Sequence, residues 1–135
     1  METKTYPGPR ERTLAEILED LRKPVHPKHI RRKRIQTTRS SYEADYIPHT
    51  TIRDYLDYYA PGWEWHCKLF AVDGKLYVEG HLTIHGSDGS LTRAGLGNED
   101  SDLDGYGDPS SNAEAQALRR AAMAFGLGRD LWRRK

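Results

Sequence analysis

Gly105-Tyr-Gly-Asp-Pro-Ser-Ser-Asn-Ala-Glu-Ala-Gln-Ala-Leu-Arg-Arg-Ala-Ala-Met-Ala-Phe-Gly126 reads as a loop that feeds an alanine-rich helix and stops at a glycine. Ser111 and Glu114 have the spacing of a capping box, which predicts Ser111 as the helix N-cap. Ala117, Leu118, Ala121, Ala122 and Phe125 recur at helical spacing and make one apolar stripe, built mostly of small side chains. Small residues let a helix sit close to whatever it covers. Asn112, Gln116, Arg119, Arg120 and Met123 fall on the other side, so the arginine pair is expected to point away from the core. Gly126 and Gly128 supply the C-terminal stop. Two adjacent guanidiniums on a close-packed helix form a fixed, permanently charged donor array suited to phosphates.

Upstream of this helix the hydrophobic period is two. Trp63, Trp65, Cys67, Leu69 and Ala71 alternate with Glu64, His66, Lys68, Phe70 and Val72, and Asp73-Gly74 is a hairpin turn. Leu76, Val78, Gly80, Leu82 and Ile84 then alternate with polar neighbours up to the turn Gly86-Ser-Asp-Gly89, and Ser90 to Leu96 makes a third strand. Further upstream, Thr13-Leu-Ala-Glu16 is a second capping-box pattern, predicting a helix over 13–22 that Pro24 stops. Ile35 to Thr38 is β-branched enough for a short strand, and a second helix is expected from Thr50 or Thr51 to Pro61. The expectation is an α+β domain: a three-stranded antiparallel meander covered by the C-terminal helix, with N-terminal helices beside it. Its predicted extent is residues 12–132, after a flexible lead-in at 1–11 and before a basic tail at 133–135.

A chain of 135 residues is most simply one domain, and its formal net charge of +1 points to no particular partner. The distribution of charge says more. From Leu21 to Tyr42 there are eight cations and no acid: Arg22, Lys23, Lys28, Arg31, Arg32, Lys33, Arg34 and Arg39. From Glu99 to Asp108 the sign reverses, and Arg129, Arg133, Arg134 and Lys135 make the end basic again. A basic segment of this kind fits a polyanion partner, or else a solvated arm. The single cysteine, Cys67, rules out an internal disulfide. No apolar run approaches the roughly 20 residues that cross a bilayer, and the first residues lack a signal-peptide core. The expected setting is therefore cytoplasmic.

The chemistry-bearing constellations are few. No Gly-rich phosphate loop is present, so nucleotide hydrolysis is not expected. His66, Cys67, His81 and His85 suggest a zinc set, but His66 and Cys67 are strand neighbours that point to opposite faces. Asp100-x-Asp102-x-Asp104-Gly105 copies half a calcium loop, yet its twelfth position is Ser111 rather than a bidentate Glu. No cofactor, metal or catalytic group is expected. Aromatic faces beside fixed cations suit single strands, whose bases stack irrespective of sequence. Trp63, Trp65, Tyr55, Tyr58 and Tyr59 are expected to pack, which leaves Tyr42 as the aromatic beside a ligand.

Taken together, these residues resemble the annealing domain of the Rad fifty-two family, including its bacterial, phage and DdrA-type relatives. The family's Leu-Lys-Arg-Ala-Leu-Arg-x-Phe-Gly helix stands here as Leu118-Arg-Arg-Ala-Ala-Met-Ala-Phe-Gly126. The other pieces follow in the family's order: a leucine-bearing first helix, Ile30 before a basic cluster, Tyr46-Ile47, Gly62-Trp63, and Asp73-Gly-Lys-Leu-Tyr-Val78. The likeness runs from about residue 12 to 132. It implies a ring or open arc of subunits holding single-stranded DNA in a basic outer groove, with bases exposed for annealing without ATP. It places Arg119 and Arg120 on the groove floor, and Arg31, Arg32, Lys33 and Arg34 on the opposite wall. Lys28, Arg39 and Tyr42 complete the expected DNA-binding set. Met123 stands where the family has a basic residue, with Arg39 or Arg93 as candidates to compensate. The alternatives are an end-protecting single-strand binder that does not anneal, or a structural oligomeric module docking an acidic protein. Any recombinase or nuclease partner is left open.

Overall fold

The computed structural model describes residues 11–36, 39–100 and 109–133. Outside them lie the expected lead-in up to residue 10, the calcium-like spacing through Asp102 and Asp104, and the final two residues of the tail. The elements are α1 (Leu14–Leu21), β1 (Arg31–Gln36), β2 (Ser41–Tyr46), α2 (His49–Tyr59), β3 (Glu64–Val72), β4 (Lys75–Gly86), β5 (Gly89–Asp100), α3 (Pro109–Ala124) and α4 (Arg129–Arg133). A single 3-10 turn, Pro27–His29, precedes β1.

α1 begins as expected. The Thr13 hydroxyl accepts the Glu16 amide at 3.2 Å while Glu16 accepts the Thr13 amide at 3.0 Å, so both halves of the capping box are closed. The meander is the antiparallel sheet β3-β4-β5. At its first turn Asp73 and Gly74 both take positive φ, +50° and +75°, as a two-residue turn matched to strand twist requires.

α3 lies across β4 and β5, and the small-residue stripe explains how closely. A Cβ at Gly97 would sit 1.9 Å from the Ala113 carbonyl oxygen, and one at Gly95 would sit 2.1 Å from that of Ala117. Ala117, Leu118, Ala121, Ala122 and Phe125 are all buried: the last four join Ile17, Leu21, Ile52, Leu56, Leu82 and Ile84 in the main core, while Ala117 packs with Val78 and Ala113 in a smaller cluster beside Trp65. α3 ends in a Schellman motif, with the Leu127 amide bonded to Ala122 and the Gly126 amide to Met123. Gly126 takes the required positive φ, +110°.

The structure corrects several expectations. The basic run is itself a strand: β1 starts at Arg31, not Ile35, and pairs antiparallel with β2 as a separate two-stranded sheet. Its charges alternate across a ribbon in water, so no apolar period announced it. α2 starts at His49, before Thr50, with Pro48 as its N-cap. α3 starts at Pro109, so Ser111 lies inside the helix, and Glu114 accepts the indole N–H of Trp65 at 3.0 Å instead of closing a cap. β5 runs to Asp100, which brings Glu99 into the sheet, where it accepts from Gln116.

The greasy face of β3 is largely uncovered. Cys67 and Ala71 are exposed and Leu69 is 55% exposed, although Val78 and Leu82 beside them are buried. One helix is about 10 Å across and strands are about 4.8 Å apart. α3 therefore roofs two strands and leaves the third. Trp65 bridges part of the gap by lying over Gly80, where a Cβ would sit 2.0 Å from the indole. Both tryptophans assigned to packing are half-buried, each with its N–H satisfied: Trp63 donates to Asp57 at 2.7 Å.

Candidate nucleic-acid interface

The basic hairpin comes first in the chain. Pairing of Arg32 with Asp45 and of Arg34 with Glu43 puts these four on one side of the ribbon. Arg31, Lys33 and Ile35 share the other side with Tyr46, Ala44 and Tyr42. Period two therefore sorts the cations. Arg32 meets Asp45 at 3.2 Å and Glu43 at 3.5 Å, and the Asp45 hydrogen bond lifts its pKa further above the ordinary guanidinium value. Arg31 donates to the carbonyls of Lys28 and Ile30. Lys33 and Arg34 are exposed and make no ion pair among the described residues. Lys28 sits exposed in the 3-10 turn, Arg39 is exposed near the hairpin's far end, and Tyr42 is 50% exposed opposite Ile35.

At its near end the hairpin enters the body beside α3. Arg119 is half-buried and lies over the Tyr46 ring, 5.8 Å from its centroid. Among the described residues it makes no hydrogen bond or ion pair. Burial draws its pKa below the ordinary guanidinium value; Tyr46 opposes that pull and Arg120 reinforces it. A guanidinium so placed stays charged, with five donors and no acceptor. Arg120 diverges from it: exposed, it reaches over β5 to the Leu96 carbonyl at 2.6 Å. Both arginines line a cleft of about 190 Å³ between β2, α2, α3 and α4, together with Asp45, Tyr46, Gln116 and Met123. The expectation that the pair points away from the core holds for Arg120, whereas Arg119 is half sunk.

The structure thus joins Arg119 and Arg120 to the Tyr46 end of the hairpin, and spreads Lys28, Arg39 and Tyr42 along its exposed length. Tyr46 and Gln116 line the cleft but were not among the expected site residues. The sequence signal for Tyr46 was its period-two match with Lys33 across a hairpin that could not be foreseen. Arg93 is not available to compensate for Met123. Its guanidinium donates to the Ala124 carbonyl and lies 5.3 Å from the Phe125 ring centroid.

The remaining titratable groups lie on the meander. His85 bridges Glu64 and Ser90, at 2.6 Å each, and His66 lies 3.7 Å from Glu64. These histidines are on the face away from α3, whereas the Cys67 thiol donates to Glu114 of α3 at 3.6 Å. Partial desolvation of the thiol pushes the Cys67 pKa up, and Glu114 adds to it.

The fold and cleft define an α+β domain with a charged hairpin beside a half-buried arginine that has no acid partner among the described residues. No protein-family model matches the chain. It is 36% identical over 124 residues to the DNA repair RAD52-like protein 1, mitochondrial, of Arabidopsis thaliana, covering 90% of this chain and 68% of that protein. To the DNA repair RAD52-like protein 2, chloroplastic, of the same plant it is 37% identical over 119 residues, covering 87% of this chain and 59% of that one. It therefore spans about two thirds of the first relative and less of the second. The chain belongs to the RAD52-like family of DNA repair proteins, in line with the resemblance carried by its helix and hairpin motifs.

Proposed function

We propose that this chain binds single-stranded DNA in the cleft between the hairpin and α3 and anneals complementary strands without ATP, in the service of DNA repair and recombination. The observation that carries this reading is Arg119, a half-buried guanidinium without an acid partner among the described residues, held against Tyr46 in the lining of a cleft. Burying a cation without a counterion is costly, and a bound phosphate relieves that cost while using donors that are otherwise idle. Lys33 and Arg34 extend the charge along the hairpin. Phosphate contacts fix the strand's path and carry no sequence information, so base pairing with a second strand does the reading.

Assembly into a ring is part of the same proposal. Among the described residues β3 and β5 are the outer strands of the sheet, and they carry exposed Leu69 and Val72 on β3 and Leu96 on β5. Two different edges meeting head to tail make a heterologous contact, which closes into a ring when the rotation allows.

The test is annealing of two labelled complementary oligonucleotides without ATP at moderate salt. Acceleration is expected with the wild type and is expected to vanish in Arg119→Ala/Arg120→Ala. The circular dichroism should stay native, since neither residue belongs to the buried stripe. If about four phosphates are neutralised per subunit, log affinity should fall with log salt at a slope near −3. Binding without acceleration would make the protein an end-protecting binder. Collapse of the double mutant's spectrum would make the pair structural.

A further inference from the structure

His49 opens α2 three residues beyond Tyr46, and Arg53 follows one turn later on the same side of the helix. Neither belongs to the buried core: His49 is exposed, and Arg53 is partly exposed with its guanidinium 5.9 Å from the Trp63 ring centroid. Both are close enough to the cleft to matter electrostatically. His49 feels Arg53 on its own helix and Arg119 and Glu114 from α3, while Arg53 also acts on Cys67 of β3. The cationic surface therefore continues past the cleft as a row, Arg119, His49, Arg53, that runs from Tyr46 toward β3. Two acids flank this row: Glu114, whose carboxylate already accepts from Trp65 and Cys67, and Asp57, one turn beyond Arg53, which accepts the Trp63 indole N–H. α2 also begins at Pro48 without a side-chain cap hydrogen bond.

We propose that His49 and Arg53 carry the phosphate path of a bound single strand onward from Arg119 toward β3, with His49 acting as an imidazolium. This rests on the single-strand reading above. In the free protein, partial desolvation of the ring first, and then Arg53 and Arg119, hold the imidazole below the usual histidine value, against a weaker opposite pull from Glu114. A phosphate set among the three cations reverses that repulsion. Protonation of His49 becomes easier in the complex, so binding takes up a proton and tightens as pH falls. A rise of about one pKa unit on binding corresponds to at most about tenfold in affinity.

The experiment is fluorescence anisotropy of a labelled oligothymidine with the full chain, at constant ionic strength, at pH 8 and pH 6. The wild type is expected to bind up to about tenfold tighter at pH 6. His49→Gln should lose most of that gain, and His49→Lys should bind at pH 8 about as tightly as the wild type does at pH 6. The His49→Lys result is a gain that misfolding cannot imitate. Arg53→Gln should flatten the salt slope by about 0.7, one phosphate's worth for a single strand. A His49→Gln protein that keeps the whole pH gain, with an Arg53→Gln slope equal to the wild type's, overturns the extended path. If Arg119→Ala is weak in the same assay, the path ends at Arg119 and the single-strand reading stands. Wild-type binding by Arg119→Ala would sink the reading itself.

Discussion

Alternation along β1 gives four consecutive cations four different surroundings. Arg32 spends its charge on Asp45 and Glu43, while Lys33, one residue on, turns to the Tyr46 side with no acid opposite. Exposed ion pairs are worth about 0–1 kcal/mol, so losing Arg32 also frees two carboxylates near the ligand's path. Loss of Lys33 removes an unpaired cation and nothing else. Lys33→Ala is expected to lower the single-strand salt slope by about 0.7 and to weaken binding alike for all sequences. The Arg32→Ala effect on affinity should depend on Glu43 and Asp45, and Arg32→Ala combined with Asp45→Asn should bind more tightly than Arg32→Ala alone. Affinities measured at several salt concentrations check both; a Lys33→Ala slope equal to the wild type's would remove that lysine from the path.

At the scale of elements, the site depends on how closely α3 lies on β5. Gly95 and Gly97 leave room for the backbone of the helix, so Arg119 is sunk beside Tyr46 while Arg120, the next residue, reaches back over the same strand to Leu96. Gly97→Ala would drive a methyl into the Ala113 carbonyl, which is backbone and cannot rotate aside. Such overpacking costs about 1–3 kcal/mol. Urea unfolding of Gly97→Ala should show that loss, together with weakened DNA binding as the helix lifts and the cleft changes shape. Wild-type stability in this variant would mean that the helix sits farther from the sheet than the structure has it.

The whole molecule presents a sheet that its own helix does not finish covering. Leu69 on β3 and Leu96 on β5 stand about half exposed at opposite edges, 55% and 48%. Exposed apolar side chains along an open edge are the features that proteins otherwise blunt or cover. Leu69→Glu is expected to leave the monomer's fold unchanged and to reduce the assembly's mass, as read by sedimentation or light scattering. On the proposed ring, annealing should fall further than binding, since several subunits would hold a strand while it is tested against its complement. An unchanged mass would place the subunit contact elsewhere.

Much of this could be read from the sequence for a physical reason. The Thr13 capping box, the period-two runs and turn of the meander, and the alanine stripe ending at Gly126 are local patterns, and backbone geometry enforces them wherever they occur. That Arg119 and Arg120 lie off the apolar stripe was legible because helical spacing sets them on the other side of the helix. The rest depended on which elements meet. The pairing of β1 with β2 joins residues across a turn with no apolar period, and it alone decided that Arg32 is neutralised while Lys33 is not. The arrival of β2 beside α3 put Tyr46 under Arg119. The width of a single helix left β3 bare despite its core-like alternation, and Glu114 turned from its expected cap to Trp65. Local patterning fixed what each segment becomes, whereas burial, ion pairing and the cleft arise between segments distant in sequence, and only the packed chain brings those together.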